Sequence, residues 1–101
     1  MNRPTPPITT WFRDRITALR RVPAASLVPH PDNWRRHGPD QTAAMRGLLA
    51  RLGYVNAILI RELDEGTYQI LDGHMRVDLS QGAPDVPVLV LDVTEDEASL
   101  I

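Results

Sequence analysis

Asp72-Gly73-His74-Met75-Arg76 is the stretch whose residue types and spacing best suit chemistry. A glycine at a strand-to-helix turn lets the backbone bend sharply and lets an anion come close. The amides of Gly73, His74, Met75 and Arg76 then point outward without helical partners, and the helix dipole favours negative charge there. Arg76, one turn in, can fork onto a phosphate. His74 is the candidate catalytic residue, able to transfer a proton or ligate a metal. Asp72 competes with a phosphate for the same amides; a bound magnesium ion, or Asp72 turned away, resolves that. A plainer arrangement fits the same spacing. Asp72 caps the helix, Gly73 makes the turn, His74 is solvated and Arg76 pairs with an acid such as Asp72.

A second segment, Asn33-Trp34-Arg35-Arg36-His37, places two adjacent arginines before a helix N-terminus. Arg35 and Arg36 there form a candidate anion clamp. Trp34 can stack on a base or fill the core. His30, His37 and His74 match no local metal-ligand spacing. Arg13, Arg15, Arg20 and Arg21 offer sequence-independent contacts to a nucleic-acid backbone.

These residues must be held by a small set of elements. Residues 1–9 are proline-rich and read as a tail. From Thr10, a capping residue, Phe12, Ile16 and Leu19 share one face of an expected short helix, with Trp11 beside them. Ser26-Leu27-Val28 is a short strand and Pro29 to Asn33 a rigid loop. Pro39 suits a first helical turn. Met45, Leu48, Leu49 and Leu52 recur at helical spacing, so one face of this helix is expected to be buried. Gly53 stands where a left-handed terminator belongs. Ala57–Glu62 and Thr67–Leu71 alternate and form a β-hairpin around Leu63-Asp64-Glu65-Gly66. The Asp72–Arg76 turn leads into a short helix ending near Gly82. Val86–Val93 is the most apolar strand and is expected to be central. Thr94-Glu95-Asp96-Glu97 has capping-box spacing. The helix it opens has under two turns before Ile101, so tertiary contacts must pin it or the sequence is a fragment of a longer parent. The order predicts a small α+β domain with a mixed sheet.

With 101 residues, 43% apolar and 24% charged, the chain has one domain's worth of globular sequence. No apolar run approaches a membrane span, and no apolar signal core follows the N-terminus. There is no cysteine, which excludes disulfides, thiolate metal sites and cysteine nucleophiles and fits a cytoplasmic protein. The net charge of −2 hides an asymmetry, +6 over residues 1–51 against −8 over residues 52–101. All eleven basic residues are arginine. A GC-rich coding genome is one explanation; a need for bidentate phosphate forks is the other. Only the N-terminal half has the charge to meet nucleic acid.

In order and separation, Pro23-Ala24-Ala25-Ser26-Leu27, Asn33-Trp34-Arg35, the helix ending at Gly53, Gly73-His74-Met75-Arg76, Val86-Pro87-Val88 and the acidic Thr94–Glu97 ending resemble the N-terminal domain of the ParB/sulfiredoxin-like superfamily. The chain looks most like stand-alone ParB-like, nuclease-labelled domains of actinobacteria and their phages. Ahead of the resembling stretch, residues 1–21 read as the tail and short helix described above. The resemblance implies a ParB-like domain over 22–101, truncated at the start of its C-terminal helix. It implies a phosphate site at Gly73, His74, Met75 and Arg76, closed by Arg35 and Arg36. Bound there would be a nucleoside triphosphate such as CTP or ATP, with magnesium on Asp72. In partitioning ParB the matching Gly-Glu-Arg-Arg segment holds the phosphates of CTP with magnesium. In sulfiredoxin it is Gly-Cys-His-Arg, and that reaction needs the cysteine which is His74 here, so sulfiredoxin activity is excluded. The second phosphate motif of partitioning proteins and their helix-turn-helix module are not in this sequence. The implied partners are a nucleotide, DNA, a DNA-modifying or DNA-packaging protein and a second copy, with no membrane. Two alternatives stay open: a DNA-binding or protein-interaction adaptor without nucleotide, and a metal-dependent nuclease or phosphotransferase with His74 as general base.

Overall fold

A computed structural model describes residues 11–31 and 38–101. They form one mixed five-stranded sheet with three α-helices and two 3-10 turns. The strands are β1 (Ile16–Val22), β2 (Leu27–Pro29), β3 (Ile58–Glu62), β4 (Tyr68–Asp72) and β5 (Val86–Leu91), in the spatial order β1-β5-β3-β4-β2. The helices are α1 (Pro39–Leu52), α2 (His74–Leu79) and α3 (Glu95–Ala98). This is the expected α+β class. No helix among the described residues is long and apolar enough to cross a membrane.

The hairpin forms where expected. β3 and β4 run antiparallel with Arg61 opposite Gln69 and Glu62 opposite Tyr68. Alternation sends Ile58 and Ile60 to one face, where both are fully buried. β5 lies parallel to β3 on its other side and buries Val86, Val88 and Val90 on that same face. β5 is therefore an interior strand, and the middle of the sheet is β3 rather than β5. Val77 of α2, with Val22, Ala24, Leu27 and Ile70, completes the core on this face. On the opposite face Leu59, Leu89 and Leu91 are half-buried, while Leu71 and Gln69 are buried.

The expected helix from Thr10 is not there. Residues 16–22 are strand β1, antiparallel to β5 from Ile16 opposite Leu91 to Val22 opposite Val86, with an irregularity between Ile16 and Ala18. Ala18 packs on the core and Val22 is buried on the same face of the strand. Phe12, needed for the helical face, is 93% exposed. A free edge beside β5 decides the conformation of a segment whose β-branched residues suit either period. The sheet thus begins before the expected boundary at residue 22.

α1 forms with Pro39 in its first turn, and Gly53, at φ +77°, ends it by donating its N–H to Leu49 O at 2.9 Å. Its expected buried face is largely open: Met45 and Leu49 are half-buried, Leu48 and Leu52 exposed, and no residue of the helix is fully buried. Periodicity shows that a face is apolar, not that a partner covers it.

α3 has only four residues and stands because it is pinned. The capping box closes as expected. Glu97 N donates to Thr94 Oγ1 at 3.2 Å, and Thr94 N donates to Glu97 Oε1 at 2.9 Å. Arg15, just ahead of β1, then grips Glu97 with two nitrogens, at 2.9 and 2.7 Å, and its Nε donates to Asp92 O at 2.7 Å. The Arg15 bonds, followed by the Thr94 amide, lower the Glu97 carboxyl from 4.5 to about 2. The ionised form is the one the fold favours, so this stabilisation is complete above about 4.5 and fades as pH falls toward about 2. Thermal unfolding of wild type and Glu97→Gln should therefore differ by a constant Tm gap, wild type higher, from pH 7 to pH 5. The gap should shrink below pH 4.5 and vanish near pH 2. A deeper change is expected from Ile60→Ala, which should cost about 2–5 kcal/mol in urea unfolding.

Candidate functional site

One end of the sheet gathers the residues that could do chemistry. The pairings bring the C-terminal ends of β1, β2 and β4 beside the N-terminal ends of β3 and β5. Arg21, His30, Asp72 and Gly73 leave the strands at this end, and Asp85 and the linker 53–57 enter it.

Gly73 makes the turn from β4 into α2 at φ +103°. That region is costly for any residue with a Cβ. Here the space is also taken: a Cβ would meet Ile58 Cδ1 at 2.8 Å and Ile58 Cα at 3.5 Å. Only glycine lets the turn press onto the first residue of the central strand. The first bond within α2 runs from Val77 N to Gly73 O at 3.1 Å. The amides of His74, Met75 and Arg76 precede it and lie outside the helix's own bonding.

The simple structural roles of Asp72 and Arg76 are not taken up. Asp72 is exposed, and among the described residues no side chain caps α2. Arg76 is half-buried and forms no ion pair among the described residues. His74 is half-buried with its Nε2 closed off from solvent. Among the described residues no three acidic or histidine side chains converge on a metal position. Arg35 and Arg36 lie outside the described residues.

The N-terminal arginines divide. Arg15 belongs to the α3 clamp, and Arg20 pairs with Glu62 at 2.8 Å. Both guanidiniums are thus already engaged, against the expectation of four phosphate contacts. Arg13 and Arg21 are exposed and form no ion pair among the described residues. Arg21 lines an open groove of about 530 Å³ with Leu19, Tyr54, Val55, Asn56, Ala57, Asp85 and Pro87. Gly73, His74 and Arg76 do not line it.

Two further residues shape the site without any motif to announce them. Ile58 is the steric partner of Gly73. Ser80, 6% exposed at the end of α2, donates its hydroxyl to Arg76 O at 2.6 Å and accepts one from Tyr54 Oη at 2.6 Å. Their only sequence signal is apolar alternation in the first case and none in the second.

No family model matches the chain, and no curated protein sequence does either. Solved structures do. The C-terminally truncated chromosome-partitioning protein ParB from Caulobacter crescentus, complexed with CTP-γ-S, is 25% identical with a TM-score of 0.69. That match covers 81% of this chain and 48% of the Caulobacter chain, so the present sequence spans about half of it. The same protein complexed to the centromeric parS site matches at 25% identity and TM-score 0.62, over 78% and 42% of the two chains. Sulfiredoxin from Arabidopsis thaliana matches at 16% identity and TM-score 0.67, over 83% of this chain and 96% of its own.

The steric demand at residue 73 is directly testable. Gly66, at φ +75°, has open space around its missing Cβ, so Gly66→Ala should cost only the left-handed strain of about 1–2 kcal/mol. Gly73→Ala should cost more than that in the same urea titration, because Ile58 must also move.

Proposed function

As a member of the ParB/sulfiredoxin-like superfamily by fold, this chain is, we propose, a nucleoside-triphosphate-binding module acting in DNA-associated processes. The phosphates would lie at the turn made by Gly73, His74, Met75 and Arg76. The observation that carries this reading is Arg76. It is half-buried one turn into α2, uncommitted to any acid among the described residues, behind a turn that only glycine can make. Its support outside this chain is the Caulobacter ParB complex with CTP-γ-S.

In this arrangement the amides of His74, Met75 and Arg76 meet phosphate oxygens, and the Arg76 guanidinium forks onto one of them. The resemblance would add Arg35 and Arg36, which lie outside the described residues, as further phosphate contacts. Asp72 is a single carboxylate, so magnesium would arrive on the phosphates and take Asp72 as one oxygen ligand, directly or through water. The ion would offset the repulsion between Asp72 and the phosphates.

The DNA-adaptor reading has the Caulobacter complex with parS behind it. Of the four arginines expected to serve it, Arg13 and Arg21 are without an ion pair among the described residues, while Arg15 and Arg20 are paired. The nucleotide reading is preferred because it draws on one turn, where Gly73 and Arg76 lie together.

Calorimetric titration of CTP, ATP and GTP, each with magnesium, into wild type and Arg76→Ala tests this. Binding by wild type that Arg76→Ala weakens about tenfold or more is expected. No binding of any triphosphate by wild type, or equal binding by the variant, would overturn the assignment.

A further inference from the structure

α1 follows directly on the Arg35-Arg36 segment in sequence and has few anchors of its own. It has no fully buried residue, and Leu48 and Leu52 are 53% and 61% exposed. α2, which carries Arg76, has six residues and cannot hold its place unaided. Between the two helices runs one continuous hydrogen-bonded chain. Gly53 stops α1 and releases Tyr54, whose hydroxyl donates to Ser80 Oγ at 2.6 Å. Ser80 donates in turn to the carbonyl of Arg76 at 2.6 Å, while its own N–H closes on Val77 O at 3.0 Å. The serine is 6% exposed, so water competes little for these bonds, whereas Tyr54 is 39% exposed.

We propose that Tyr54 is a positioning residue. Through Ser80 it latches the end of α1 to α2 and fixes the backbone of Arg76, so that Arg76 is held ready to meet the triphosphate. The nucleotide part of this rests on the functional reading above; the latch itself does not.

Two measurements separate them. The first is amide hydrogen exchange of the full chain without nucleotide, in wild type, Tyr54→Phe and Ser80→Ala. Loss of one hydrogen bond should speed α1 exchange about 3- to 10-fold, with β3 and β5 unchanged. The double variant should be no faster than the faster single one, because both remove the same link. Unchanged α1 exchange in Tyr54→Phe overturns the latch. The second is triphosphate affinity in a cycle of Tyr54→Phe with Arg76→Lys, which keeps the charge and keeps binding measurable. Tyr54→Phe should weaken binding about 3- to 10-fold in the wild-type background and much less beside Arg76→Lys. Equal weakening in both backgrounds overturns a role through Arg76. If wild type binds no triphosphate, the functional reading fails, and exchange alone still decides whether Tyr54 holds α1.

Discussion

Ile58 and Gly73 touch where the middle strand of the sheet begins and the chain turns out of β4, and the geometry of the rest follows from how closely they approach. Ile58 is fully buried, and its side chain occupies the place a Cβ at residue 73 would need. The turn can therefore lie directly on the sheet. α2 leaves it already facing the core and delivers Val77 among Ile58, Ile60 and Val88. From the end of α2 the chain needs only residues 80–85 to enter β5 beside β3. A bulkier turn would lift α2 away from the sheet and with it both Val77 and the backbone of Arg76.

The charge asymmetry along the sequence acquires a physical meaning once the strands are in place. β1 and its approach bring arginines from the positive half of the chain across the sheet to acids of the negative half. Arg15 closes on Glu97 and Arg20 on Glu62. The split is thus partly an internal complementarity that seats the first strand and the last helix on the same body. Arg61, itself in the acidic half, bonds neutral groups instead on the opposite face of β3, its Nε donating to Val93 O at 3.2 Å and its Nη1 to Gln69 Oε1 at 3.4 Å. A basic half on paper is a poor guide to a basic surface when its partners lie so far along the chain.

What could be read from the sequence was whatever is decided within a few residues. The capping box at Thr94, the Gly53 terminator, the hairpin around Gly66 and the glycine turn at 73 all depend on local backbone chemistry, and all are present. β1 was misread because Phe12, Ile16 and Leu19 fit a helical period equally well, while the pairing that decides it lies with β5 near the other end of the chain. The face of α1 was legible as apolar but its exposure was not, since coverage is a property of the neighbours. Within the site, the residue types at 72–76 were legible. The steric role of Ile58 and the bond from Tyr54 to Ser80 were not, because each joins residues well apart in sequence with no motif between them.

The antiparallel seam between β1 and β5 also has a consequence for how the protein is made. Arg15 and Glu97 stand 82 residues apart, and every rung of the seam joins the beginning of the sequence to its far end. On a ribosome the first of the five strands therefore has no partner until β5, the last of them, has emerged. The hairpin, α2 and β5 can assemble in the meantime, since each lies close in sequence to what it packs against. Closing the long loop has an entropic cost that falls on this one step. The arginine-rich strand is thus the first of the five strands to be made and the last to be paired.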